Sequence, residues 1–259
     1  MYYQLAQQEF ESYLNGYDRE NDRIKLKIIH TYGVVKQAEA LAERMHLSTE
    51  DTDLARLIAL LHDIGRFEQL KRYDSFETGT MDHAAYGVKV LFDEGMIRRF
   101  LPDDKWDSII YTAIAHHSDY ELPEISDSQT LLHAKLIRDE DKLDNCRVKL
   151  VDSTSTFINV SEEELGTQNI TQKVYETVFK NKCILSADRV TQMDYWVSYI
   201  VYFFDINFKE SFDIIAENDY LNRIIDRIPY SNPVTKEQME NIRVYMQNFI
   251  NSHTNSQSF

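Results

Sequence analysis

The stretch Leu60-Leu61-His62-Asp63-Ile64-Gly65-Arg66 decides how this chain is read. A histidine and an aspartate stand side by side at the end of an apolar helical run, and an unpartnered carboxylate is costly to bury there. Both are good ligands for a borderline metal ion. The doublet therefore points to a metal centre, provided that the rest of the chain supplies further ligands.

Upstream, Ser48-Thr49-Glu50-Asp51 has the form of an N-cap followed by acids in the first turn. Leu54, Leu57, Ile58 and Leu61 make the helix that follows apolar nearly all round, and hence central. Gly65 marks its expected end. Before it, Ile24, Ile28, Thr31, Val35, Ala38 and Leu41 recur at three- and four-residue steps between Asp22 and Met45, which places His30 on or beside an apolar face. After it, Phe67 to Gly79 reads as an irregular loop. A third helix from near Asp82 to Gly95 carries His83, and a fourth, opening at Asp104 or Asp107, leads into His116-His117. Pro123 enforces a loop. A fifth helix, from about Ser128 through Leu143, carries Asp141.

The flanks are helical as well. Residues 1–20 are expected to form an N-terminal helix and 151–170 a polar connection. Helical patterns follow at 171–181, at 187–228 with a break near 205–208, and at 234–252, with a frayed tail from Ser252. Aromatic residues from Tyr195 to Phe204 read as a packing surface. No stretch alternates with period two, and Gly (7) and Pro (4) are too scarce for a turn-rich β fold. The expected fold class is all-α: a single all-α domain over 1–259, with a core at about 22–145 and a C-terminal helical extension at about 146–259.

The formal charge of −15 argues against nucleic-acid polymers and anionic membranes as partners, and leaves small phosphorylated molecules as candidates. Two cysteines without CxxC spacing, no signal-like N-terminus and no run of 18 apolar residues place the expected location in the cytoplasm.

Taken singly, each histidine has an ordinary explanation as a hydrogen-bonded core residue, and His46, His133 and His253 are left in that class. His30, His62, His83, His116 and His117 differ as a set, because each sits in or at the end of an expected helix. Asp63 and Asp141 add two carboxylates whose burial a metal charge would offset.

His30, then His62-Asp63, then Asp141 resembles the signature of the HD superfamily of metal-dependent phosphohydrolases, over roughly residues 22–145. The added His83 and His116-His117 resemble its two-metal subgroup. The resemblance implies an HD-domain helical bundle with additional C-terminal helices, and two divalent transition-metal ions, with Fe, Mn, Zn, Co and Ni not distinguished. It implies that His30, His62, Asp63 and Asp141 hold the first ion, and that Asp63 bridges to a second held by His83, His116 and His117. The Gly-Tyr-Pro run of the HD-GYP branch is absent: Gly65-Arg66-Phe67 stands after the doublet.

The expected activity is hydrolysis of a phosphomonoester or phosphodiester of a small molecule, foremost a nucleotide, by metal-activated hydroxide. Arg66 would bind a phosphate oxygen bidentately and Lys142 would assist the leaving group; the alternative for each is a surface salt bridge. Two other functions compete: an HD-fold di-iron oxygenase, and a metal-binding regulatory protein without turnover. A homodimer is compatible with the aromatic-rich C-terminal helices.

Overall fold

A computed structural model describes residues 2–77 and 79–254. The described residues are helical throughout their regular structure, with no strand among them. The chain divides into two compact units, Met1–Asp144 and Asn145–Phe259.

The first unit is built on α1 (Tyr2–Leu14), α2 (Asp22–Arg44), α3 (Thr49–Leu61), α4 (Ile64–Tyr73), α5 (His83–Val88), α6 (Ile97–Phe100), α7 (Asp107–His116) and the first two-thirds of α8 (Ser128–Val151). Asn21 opens α2, its side chain accepting from the Arg23 and Ile24 amides. Ser48 opens α3 in the same way through the Asp51 amide. Leu54, Ala55, Leu57, Ile58, Ala59, Leu60 and Leu61 are all buried, so α3 is the axis against which α2 packs. Each of these large aliphatic side chains adds roughly 1.5–3 kcal/mol of burial.

Gly65 does not end this helix. Helix α3 stops at Leu61, His62 and Asp63 form the turn, and Gly65 lies in the first turn of α4. A Cβ at position 65 would run into the His83 carbonyl and stand 2.7 Å from the Gly87 amide nitrogen. The missing side chain thus serves the close approach of α4 to α5, rather than a helix stop. The loop expected from Phe67 onward is helical to Tyr73, because Ile64, Phe67 and Leu70 are buried on one face. The actual stop is Asp74, left-handed at φ 44°, whose amide donates to Leu70 O. Helix α1 fastens the start of α4: Tyr13 Oη donates to Ile64 O at 2.9 Å, and the rings of Phe10, Tyr13 and Tyr17 surround Phe67.

Helix α5 runs on as a π-helical turn over Lys89–Asp93 and closes at Gly95, whose φ is +75°. In the second unit, the connection expected at 151–170 contains two short helices, α9 (Thr154–Ile158) and α10 (Glu162–Thr167). They are followed by α11 (Gln172–Val178), α12 (Gln192–Val201), α13 (Lys209–Glu217), α14 (Tyr220–Asp226) and α15 (Pro233–Thr254). The pattern at 187–228 breaks twice: at the 3-10 turn Tyr202–Asp205 and again at Asp219, left-handed at φ 50°. Trp196 and Phe203 are fully buried, as a packing role requires. The expected tail is helical through Thr254, and its remainder, 255–259, lies outside the described residues. No described helix is long and apolar enough to cross a membrane.

Candidate metal centre

Four imidazoles run in a row through the first unit. The ring centroids of His30 and His62 are 5.8 Å apart, those of His62 and His117 5.3 Å, and those of His117 and His83 5.1 Å. They come from four different segments: α2, the α3–α4 turn, the end of α7 and the start of α5.

Asp63 stands at the middle of this row, with each carboxylate oxygen turned to a different group. Its Oδ2 lies 3.2 Å from His62 Nε2 and 4.0 Å from His30 Nε2. Its Oδ1 lies 3.2 Å from His83 Nε2 and 3.6 Å from His117 Nε2. Asp141, reaching in from α8, places Oδ1 2.9 Å from His30 Nε2 and 3.9 Å from His62 Nε2. Two ligand triplets result, His30–His62–Asp141 and Asp63–His83–His117, each with ligand atoms within 4.8 Å of one another.

Helix ends set the histidine tautomers. His62 Nδ1 donates to Ala59 O at 2.7 Å, and His117 Nδ1 donates to Ile114 O at 2.7 Å. Both acceptors belong to the last turn of a helix, where carbonyls have no partner in the ladder. With the proton on Nδ1, each Nε2 presents a lone pair to the cluster, as a metal ligand must. His30 Nε2, His62 Nε2 and Asp63 Oδ1 are buried without a hydrogen-bond partner. Buried polar atoms are rarely left so, and three such atoms in one cluster of nitrogen and oxygen donors fit the coordination of a metal ion.

Charge reinforces this reading. Burial pushes the Asp63 carboxyl up, but the Lys27 ammonium, the largest opposing charge, outweighs it and holds the group well below the usual carboxylate range. The Asp141 carboxyl is pushed up by burial and held down by His30 and His62 when those imidazoles carry a proton toward it, the place a bound cation would take. The His83 imidazole is lowered to about 3 by burial and then by the Arg66 guanidinium, so it is neutral and ligand-competent at ordinary pH.

The candidates divide as follows. His30, His62, Asp63, His83, His117 and Asp141 come together. His116 does not: successive helical residues point about 100° apart, and its Nδ1 meets Asp119 Oδ2 at 2.6 Å on the partly exposed side of α7. Arg66 reaches the second triplet, its Nη2 donating to His83 Nε2 at 2.8 Å and its Nη1 to Gln69 Oε1 at 2.6 Å. Lys142 Nζ donates back to Arg138 O of its own helix at 3.2 Å.

Three residues of the site lie outside the sequence expectation. Lys27 is buried in an ion pair with Asp63; its only trace in the sequence is its place one turn before His30. Asp144 receives His30 Nδ1 at 2.8 Å and betrays itself only by standing three residues after Asp141. Arg138, fully buried, donates to the carbonyls of His116, His117 and Asp119 at 3.0, 3.3 and 2.7 Å and caps the end of α7.

Among known families, residues 28–146 match the family model described as HD domain. No curated protein and no solved structure matches the chain.

Proposed function

We propose that the chain, whose residues 28–146 match the HD-domain family model, is a metal-dependent phosphohydrolase of that superfamily acting on a phosphomonoester or phosphodiester of a small molecule, foremost a nucleotide. The observation that carries this reading is the division of the Asp63 carboxylate between two histidine groups, one oxygen to each. His30, His62 and Asp141 with Asp63 Oδ2 would hold one ion, and Asp63 Oδ1 with His83 and His117 the other. Such ions, when bound, polarise phosphoryl oxygens and lower the pKa of water to roughly 7, which supplies a nucleophile at neutral pH.

The protein's own groups do the rest. Neutral His83 and ionised Asp63 and Asp141 need release no proton to serve as ligands. Arg66 offers a planar fork of donors beside the second triplet, suited to two oxygens of one phosphate. Gln69, fully buried, accepts from Arg66 and donates through Nε2 to Glu77 O and Thr80 Oγ1, so the same amide steadies the guanidinium and the loop after α4. Lys142, beside Asp141, is the cation we assign to the leaving group.

The test is a panel of phosphorylated metabolites, nucleotides and dinucleotides, assayed for released phosphate or monophosphate with Mn, Fe, Zn and Co in turn. Turnover with redox-silent Zn, or with Mn in the absence of oxygen, is expected. Oxygen consumption confined to the iron-loaded protein, with no phosphate released from any substrate, would replace this reading with the oxygenase.

A further inference from the structure

We infer that Asp144 is a positioning residue that fixes His30 as a ligand of the first ion, and that Gly33 is present to admit it. The inference rests on the metal-centre reading above.

His62 and His117 find their Nδ1 acceptors in the free carbonyls of their own helix ends. His30 has no such carbonyl within reach, because it lies inside the 23-residue helix α2, where the backbone carbonyls are engaged by the ladder. Its acceptor must come from another element, and Asp144 Oδ2 of α8 supplies it at 2.8 Å, with both side chains almost wholly buried. That bond holds the proton on Nδ1 and turns Nε2 toward Asp141 Oδ1, 2.9 Å away.

The approach of Asp144 depends on Gly33, one turn after His30. A Cβ at position 33 would collide with the Asp144 carboxyl group and stand 2.7 Å from Oδ2. All three atoms of the carboxyl fall under 3 Å from that Cβ, so the group that meets His30 would have to shift. A glycine in a helix interior is a poor helix former, so its place here calls for such a steric reason. The two helices thus carry matched features: a gap on α2 and a carboxylate on α8 that fills it.

The experiment is a Co²⁺ titration of metal-stripped full-length protein, followed by the visible ligand-field absorption and calorimetry, for wild type, Asp144→Ala, Asp144→Asn, Gly33→Ala and His30→Ala. The wild type is expected to take two equivalents. Asp144→Ala and Gly33→Ala are each expected to weaken one of them about 10–100-fold. This is the equivalent that His30→Ala loses, and the other stays unchanged. Asp144→Asn keeps an oxygen acceptor and falls between. A purely structural role would lower the melting temperature of the stripped protein without this selective loss. Gly33→Ala separates the two, since alanine is the better helix former. Two equivalents bound by Asp144→Ala and Gly33→Ala with wild-type affinity, or both weakened alike, would overturn the inference while leaving the metal centre standing. A wild type that takes up no Co²⁺ would overturn both.

Discussion

Replacing Gly65 by alanine tests how the proposed metal ligands are tied to helix packing. The added Cβ would stand 2.7 Å from the Gly87 nitrogen, where ordinary contact begins at 3.4 Å, so α5 must retreat by at least about 0.7 Å, and further to clear the His83 carbonyl. Both obstacles are backbone atoms, so no side chain can rotate away. Overpacking of this kind costs about 1–3 kcal/mol, offset by up to about 1 kcal/mol from the better helix propensity of alanine. A net loss of about 1–2 kcal/mol corresponds to a fall in Tm of roughly 2–8 °C for a chain of this size. The effect on function should be larger, because His83 is the first residue of α5 and moves with it. A shift near 1 Å in such a group costs on the order of 100-fold in turnover. Calorimetry for Tm and initial rates on the best substrate of the panel measure both quantities. An unchanged or raised Tm together with wild-type turnover would refute the reasoning.

Arg138→Met keeps the apolar stem but removes the donors to three carbonyls at the end of α7. It should cost about 1–3 kcal/mol in urea unfolding and weaken metal binding at the proposed site that includes His117; a loss under about 1 kcal/mol would show that the cap is dispensable. Glu140 is buried without a hydrogen-bond partner, and burial, then the neighbouring Asp139, holds its carboxyl well above the usual 4.5. The unfolded chain releases this proton near pH 4.5 while the folded chain keeps it, so stability falls as pH rises above that value. Glu140→Gln in metal-stripped protein should therefore raise Tm at pH 7 and leave it unchanged at pH 4; equal effects at both would contradict the assignment. Arg66→Lys preserves charge but not the fork, and should lower kcat/KM roughly 10–100-fold on a phosphate ester; unchanged kinetics would remove Arg66 from the phosphate site.

Much of this was legible in the sequence. Apolar spacing located α2, α3, α7 and α8, and the Ser48 cap is where its side-chain chemistry requires. Ionisable residues set on apolar stripes are conspicuous, which is why His30, His62, Asp63, His83 and Asp141 could be singled out before their separation in space was known. What could not be read was tertiary. Gly65 carries the signature of a helix end, yet its use lies in the backbone of α5, and nothing local distinguishes the two. Lys27, Asp144 and Arg138 look like ordinary surface charges until the neighbouring helix is in place. His116 and His117 are equivalent in the sequence, and only the hydrogen bonds to Asp119 and Ile114 O assign one to the rim and the other to the cluster.

If a single carboxylate joins two metal sites, Asp63→Ala should disturb both at once. Elemental analysis of wild-type protein purified without chelator is expected to find two equivalents of transition metal, and of Asp63→Ala close to none, with phosphatase activity lost in parallel. Two equivalents and full activity in that variant would contradict the account.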